Sequence, residues 1–211
     1  MAGKFAAKVV KAAQSKGVYT TVKHFALNDQ ETHRSIGGGN YWVNEQAIRE
    51  IYLRPFEIAV KEGETHGVMS AFTRIGTVWT GGDYRLLTNI LREEWGFVGL
   101  VICDFHTDRY MDNRQMVYAG GDLNLTTTRK FADDNNPPDP NNAADVYCLR
   151  RAAHNVLYVL ANSNAMEAEI LGYKLPVWQV ILFISDGVLA AGFGVWGFFA
   201  IRGALKKGKE E

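Results

Sequence analysis

The stretch LLTNILREEWGFVGLVICDF, residues Leu86–Phe105, decides how the fold is read. Leu86, Leu87, Ile90 and Leu91 recur at helical spacing, Asp83 stands before them as a helix cap, and Gly96 stops the run. GLVIC, Gly99–Cys103, then follows as a short, continuous apolar segment of strand length that ends abruptly in Asp104. A helix, a tight turn, a buried strand and a carboxylate at the strand's C-terminal end form the repeating unit of parallel α/β folds, whose chemistry collects at that end.

The same unit recurs on either side. Upstream, GVMSA (Gly67–Ala71) reads as a second strand. Before it, Ile48, Ile51, Tyr52, Phe56 and Ala59 share one helix face, with Asn44 as the N-cap and Pro55 expected to kink or break the helix. Earlier still, an amphipathic helix ends near Gly17, and VYTTV (Val18–Val22) reads as the first strand. Downstream, a short helix over Asn113–Ala119 leads to DLNL (Asp122–Leu125), a fourth strand. The proline-rich DDNNPPDPNN (Asp133–Asn142) lacks the Gly and Glu of an EF-hand and reads as a plain loop. A last amphipathic helix spans about Ala143 to Ser163.

Four βα units in succession predict an α/β fold with a parallel sheet, either doubly wound or part of an eight-stranded barrel. No GxGxxG or P-loop follows a strand, and Gly37–Gly39 follows a polar segment and reads as a flexible loop.

Composition narrows the function classes. At 211 residues, 47% hydrophobic and 22% charged, the chain can bury a full core. With 23 basic against 23 acidic residues it lacks the positive footprint of a nucleic-acid binder, so no nucleic-acid partner is expected. Cys103 and Cys148 form neither a disulfide framework nor a CxxC pair, and Cys103 is expected to face the core. His33, His66, His106 and His154 show no metal-ligand spacing, and the alternation Asp104, His106, Asp108 is weak. No metal and no cofactor are expected.

The segment LPVWQVILFISDGVLAAGFGVWGFFAI (Leu175–Ile201) carries one charge, Asp186, and has Trp178 and Trp196 toward its ends, with Lys174 and Arg202 outside them. Roughly 20 apolar residues span a bilayer, and an Asp at the centre costs about 2.5–3.5 kcal/mol, which the surrounding apolar residues can offset. The expected organisation is an α/β region at 1–174, a transmembrane helix at 175–202 and a basic cytoplasmic tail at 203–211. Arg202, Lys206, Lys207 and Lys209 place the C-terminus inside a cell membrane and the preceding region outside. The first residues carry no signal-peptide run, which points to the C-terminal part of a longer exported protein.

Each predicted strand end is polar: Lys23 and His24, then Phe72-Thr73-Arg74, then Asp104, then Asn124 within the fourth strand. Cations, an Arg and a carboxylate converging on one mouth suit a hydroxyl-rich substrate.

Four stretches carry a resemblance: TVKHFALNDQETHR (Thr21–Arg34), IREIYLRPFEIAVKEGETHGVMSAF (Ile48–Phe72), LLTNILREEWGFVGLVICDF (Leu86–Phe105) and AGGDLNL (Ala119–Leu125). Over roughly residues 1 to 165 the chain resembles the family 3 glycoside hydrolases, the β-glucosidase and β-N-acetylglucosaminidase group. The resemblance implies a partial (β/α)8 TIM-like barrel of about four βα units, where a full barrel takes about 250 residues. It implies a retaining β-glycosidase acting on carbohydrate, a β-glucoside or oligosaccharide, with Asp104 as nucleophile. Lys23 and His24 would bind sugar hydroxyls, and Phe105 would stack on the ring. Phe72 stands where many members carry a Tyr, and Arg74 lies in a departing stretch, Thr73–Gly76. The acid/base carboxyl would come from another domain or loop. The partners implied are an upstream half-barrel or a second copy, together with membrane lipid around residues 175–202. The competing expectation is an inactive truncated remnant or sugar-binding fragment.

Overall fold

Three short strands hydrogen-bond side by side at the centre of the first unit: β1 (Val22–Phe25), then β3 (Gly67–Ser70), then β6 (Leu100–Ile102), all parallel. Ile102 adds a parallel bridge to Leu123, so the chain visits four positions across the sheet in sequence order. The computed structural model describes residues 1–32, 34, 39–105, 110–126, 135–166 and 175–207, in two units, Met1–Glu167 and Ala168–Glu211.

The helices between the strands are α1 (Ala2–Gln14), α2 (Glu45–Ala47), a π-helical stretch Ile48–Leu53, α3 (Arg54–Lys61), a π-helix Arg85–Glu94, α4 (Asn113–Ala119) and α5 (Ala143–Asn162). Their starts follow from capping chemistry. Asn44 Oδ1 accepts the Ala47 N–H at 2.8 Å, Asp83 Oδ1 the Arg85 N–H at 3.0 Å, and Asn142 Oδ1 the Ala144 N–H at 2.9 Å. Gly96, at φ +72°, turns the chain after the π-helix. Pro55 does not break its helix. It sits in the first turn of α3, where a missing N–H costs little, directly after the wider π turns.

One apolar cluster joins these layers: Phe25, Leu53, Val60, Val68, Leu87, Leu91, Trp95 and Val101 are buried together. Phe25 meets Phe56 and Trp95 edge-on, with ring centroids 5.2 and 5.8 Å apart.

Two strand expectations need correction. The first strand is Val22–Phe25 rather than Val18–Val22, because Phe25, Ala26 and Leu27 fill the core while Val18 stays 50% exposed. Lys23 and His24 therefore lie within the strand, not past it. The fourth strand contracts to the Leu123 bridge. The Asp122 carboxylate accepts the Val101 N–H at 2.7 Å, a donor that a longer strand would have met with a backbone carbonyl. A small second sheet was not anticipated: β4 (Arg74–Ile75) pairs antiparallel with β5 (Val78–Trp79) and parallel with β2 (Asn40–Tyr41). Two-residue strands are too short for periodicity to reveal.

An ion-pair network fixes α4 to α5. Asp145, fully buried, accepts from Arg114 Nε at 3.1 Å, Tyr118 Oη at 2.6 Å and the Asp139 N–H at 2.7 Å. The Arg114 hydrogen bonds above all, then that of Tyr118, hold its carboxyl down to about 2. A carboxyl depressed on folding contributes stability above its unfolded value, about 3.9, that is lost as pH falls toward the folded one. Thermal unfolding should therefore weaken between about pH 5 and pH 2, and Asp145→Asn should flatten that acid limb while lowering Tm at neutral pH.

The second unit, described by itself, is α6 (Val177–Lys207). Val177–Phe199 is long and apolar enough to cross a membrane, with mean hydropathy 1.8 and no part of it buried. The helix runs on through residues 203–207 of the expected tail; residues 208–211 lie outside the described residues.

Candidate active site

Asp104 follows β6 almost directly and is 7% exposed. Its Oδ1 accepts the Phe105 N–H at 2.8 Å. Its Oδ2 is buried without a hydrogen bond among the described residues, yet lies 3.4 Å from His24 Nε2 and 3.5 Å from Arg34 Nη1. A buried carboxylate oxygen with two cationic or donor groups just beyond bonding distance is electrostatically steadied but free to react.

His24 reaches this oxygen from β1. Its Nδ1 stands 3.5 Å from Asn28 Nδ2, an arrangement that leaves Nε2–H directed at Asp104. Burial lowers the imidazole's pKa more than Asp104 raises it, and Lys23 and Arg34 add to the lowering, so His24 is neutral at pH 7. It is a hydrogen-bond donor there rather than a cation.

Arg34 is the residue that spacing did not single out. Its Nε pairs with Glu31 Oε2 at 2.7 Å, its Nη1 donates to Asn28 Oδ1 at 3.3 Å, and its guanidinium lies 4.9 Å above the Phe72 ring. The polar run Asn28–Arg34 has no hydrophobic period, and what aims the guanidinium is Phe72, after β3. Only the quoted motif as a block could have flagged it.

The other expected residues take separate places. Lys23 is exposed, without a hydrogen bond or ion pair among the described residues, and lines with His24, Asn28, Tyr52 and Phe56 a cavity of about 350 Å³. Phe72 is buried beneath Arg34. Phe105 is 38% exposed beside Asp104. Arg74 stacks 4.0 Å above the Tyr110 ring. Asn124 accepts from Cys103 Sγ at 3.3 Å and donates to Asn113. Burial pushes the Cys103 thiol up to about 11, which removes it as a nucleophile at neutral pH. Among the described residues no group of three His, Cys, Asp or Glu is placed to hold a metal. His33, His106 and Asp108 lie outside the described residues.

A buried carboxylate flanked by a neutral imidazole and a guanidinium can attack an electrophilic carbon while its neighbours bind hydroxyls. The family model for the glycosyl hydrolase family 3 N terminal domain matches residues 1–131. β-Glucosidase B of Emericella nidulans is 38% identical over 169 residues, 79% of this chain and 20% of that protein. An exo-α-(1→6)-L-arabinopyranosidase of Bifidobacterium longum is 40% identical over 134 residues, 64% of this chain and 17% of the relative. Among solved structures, β-glucosidase 3B of Thermotoga neapolitana in complex with α-D-glucose superposes with a TM-score of 0.65 at 33% identity, over 77% of this chain and 23% of that one. A β-glucosidase of Paenibacillus barengoltzii gives 0.69 at 32%, over 78% and 19%. The chain thus spans about a fifth of the length of these relatives, and by the family model and these identities it belongs to glycosyl hydrolase family 3.

Proposed function

We propose that this chain carries the nucleophile wall of a retaining β-glycosidase of the β-glucosidase type. The observation that carries the reading is the buried Asp104 Oδ2, unclaimed by a hydrogen bond among the described residues and faced by His24 and Arg34. Asp104 attacks the anomeric carbon as the bond to the leaving oxygen breaks, giving a glycosyl ester. Water then attacks the same carbon, releasing the sugar and restoring the carboxylate. His24, Arg34 and Lys23 donate to sugar hydroxyls, and Phe105 offers an apolar face to the ring. The second carboxyl, about 5–5.5 Å from the nucleophile in retaining enzymes, protonates the leaving oxygen in the first step and takes a proton from the water in the second, and it comes from another domain, loop or chain. β-Glucosidase relatives and a glucose-bound neighbour support a carbohydrate substrate.

In this reading the sheet is part of an eight-stranded barrel. The outer edge of β1 and that of the Leu123 position are completed by an upstream half-barrel or by a second copy. The competing reading is a remnant that keeps this wall without the acid. Covalent trapping separates the two. Incubating the detergent-purified chain with 2-fluoro β-glycosides bearing activated leaving groups should yield an adduct that mass spectrometry maps to Asp104. Such leaving groups need little protonation, so the nucleophile is tested without the acid. No adduct from a folded chain would overturn the enzymatic reading.

The apolar helix Val177–Phe199 acts, in the same proposal, as a single-pass anchor with the glycosidase region outside the cell membrane and the C-terminus in the cytoplasm. The expected result is that the expressed chain stays in the membrane pellet after an alkaline carbonate wash and leaves it only with detergent. Release by carbonate would refute the anchor while leaving the glycosidase reading untouched.

A further inference from the structure

Tyr110 follows Asp104 and Phe105 by a few residues, and its side chain touches the two other loops of the site. Its Oη donates to the Phe72 carbonyl at 2.9 Å and lies 3.5 Å from the Arg34 carbonyl. Its ring is gripped independently of the hydroxyl. Arg74 covers one face at 4.0 Å, and Trp79 meets it edge-on with centroids 6.4 Å apart. Trp79 is immobilised in turn, 2% exposed, with Nε1 donating to the Ala71 carbonyl at 2.8 Å. A phenol held on both sides can therefore set the positions of the backbones its oxygen reaches.

Those backbones belong to the two members of one stack. Arg34 lies over the Phe72 ring at 4.9 Å, and the same guanidinium stands 3.5 Å from the Asp104 carboxylate. The loop after β1 and the loop after β3 are thus pinned at one hydroxyl, directly behind the pair that faces the nucleophile.

We propose that Tyr110 is a positioning residue: through its hydroxyl it holds Arg34 over Phe72 at the distance from Asp104 where the guanidinium meets a sugar hydroxyl. The proposal deepens the glycosidase reading and rests on it. Because Tyr110 acts through the placement of Arg34, losing its hydroxyl falls chiefly on sugar binding and changes the bond-forming step less.

Tyr110→Phe keeps the ring, the Arg74 stack and the Trp79 contact and removes only the hydroxyl. Trapping by an activated 2-fluoro β-glucoside, followed over a range of concentrations, yields a half-saturating concentration and a maximal rate. The variant should raise the first about tenfold, the worth of one well-placed hydrogen bond, and hold the second within about twofold. Arg34→Lys should raise the half-saturating concentration at least as far and lower the maximal rate as well, since its guanidinium also faces Asp104, and the double variant should be no worse than Arg34→Lys alone. Hydrogen exchange should quicken over residues 26–34 in Tyr110→Phe and stay unchanged in the Arg85–Glu94 helix. An unchanged half-saturating concentration, with or without a lower melting temperature, overturns the proposal, as does full additivity with Arg34→Lys. If the wild-type chain traps no glycoside, the glycosidase reading falls first and this proposal falls with it; a trapped wild type with an indifferent Tyr110→Phe sinks the positioning role alone.

Discussion

Asp104→Asn should abolish glycosyl-adduct formation with activated 2-fluoro β-glycosides, lowering the trapping rate by at least about 10³-fold while leaving the fold intact. The expectation follows from what the amide changes and what it keeps. Asn preserves the shape and the acceptor that takes the Phe105 N–H at 2.8 Å. It replaces the other oxygen, or its charge, with a group that cannot form an ester to the anomeric carbon. Removing a covalent nucleophile while the binding groups remain costs several powers of ten in related chemistries. Stability should move little or even rise, since Asp104 Oδ2 is buried without a hydrogen bond among the described residues and its removal relieves a desolvated charge. The His24 imidazole provides a second reading of the same substitution. Asp104 is the largest influence raising its pKa against the lowering by burial. In Asp104→Asn that support vanishes, and the His24 pKa, followed by NMR, should fall further. Trapping that persists in Asp104→Asn would move the nucleophile elsewhere.

How much of this could be read beforehand differs by element, for physical reasons. The strands at Gly67–Ser70 and Leu100–Ile102 are legible because they are buried or half-buried along their length, which makes them short apolar runs opened by glycine. The helix starts at Asn44, Asp83 and Asn142 are legible because capping is local chemistry. The first strand is misplaced because β-branched and aromatic residues in Val18–Val22 outscore a segment opening on Lys23 and His24. Tertiary burial of Phe25, Ala26 and Leu27 overrides that local preference. The site divides the same way. Asp104 is visible as a charge that ends an apolar strand, and His24 as a polar residue near another. Arg34 is invisible because its direction depends on the Phe72 ring, a contact made only once β1 and β3 pair. Arg74 is visible as a strand-end cation, but the Tyr110 ring that engages it comes from a third loop.

Arg92→Met should be the most destabilising single change in the first unit that leaves Asp104, His24 and Arg34 in place, costing about 3–5 kcal/mol at neutral pH. Arg92 leaves the π-helix to donate to the Gly99 carbonyl at 3.1 Å, the Gly120 carbonyl at 2.9 Å and Asp122 Oδ2 at 2.7 Å, with Phe97 beneath its guanidinium at 5.4 Å. It closes the end of the sheet opposite the site. Burial lowers the Arg92 pKa and raises that of Asp122, in each case against the attraction of the partner. The pair is thus costly to bury and contributes little net, but breaking it leaves a buried carboxylate with the Val101 N–H, the Asn155 amide and the more distant charge of Arg151, and no ion-paired hydrogen bond among the described residues. The sign of the pH dependence is a sharper test than the size. In Arg92→Met the Asp122 carboxyl is raised still further above its unfolded value, so the variant recovers stability by binding a proton as pH falls and loses it as pH rises through the folded pKa. The deficit relative to wild type, from urea unfolding, should therefore shrink as pH falls toward the unfolded carboxyl value of about 3.9. Arg92→Met with Asp122→Asn should restore much of the loss, because the amide still accepts the Val101 N–H without leaving a charge. A deficit independent of pH, or a double variant as weak as the sum of its parts, would mean that Arg92 serves through packing on Phe97 and its carbonyl hydrogen bonds instead of through its charge.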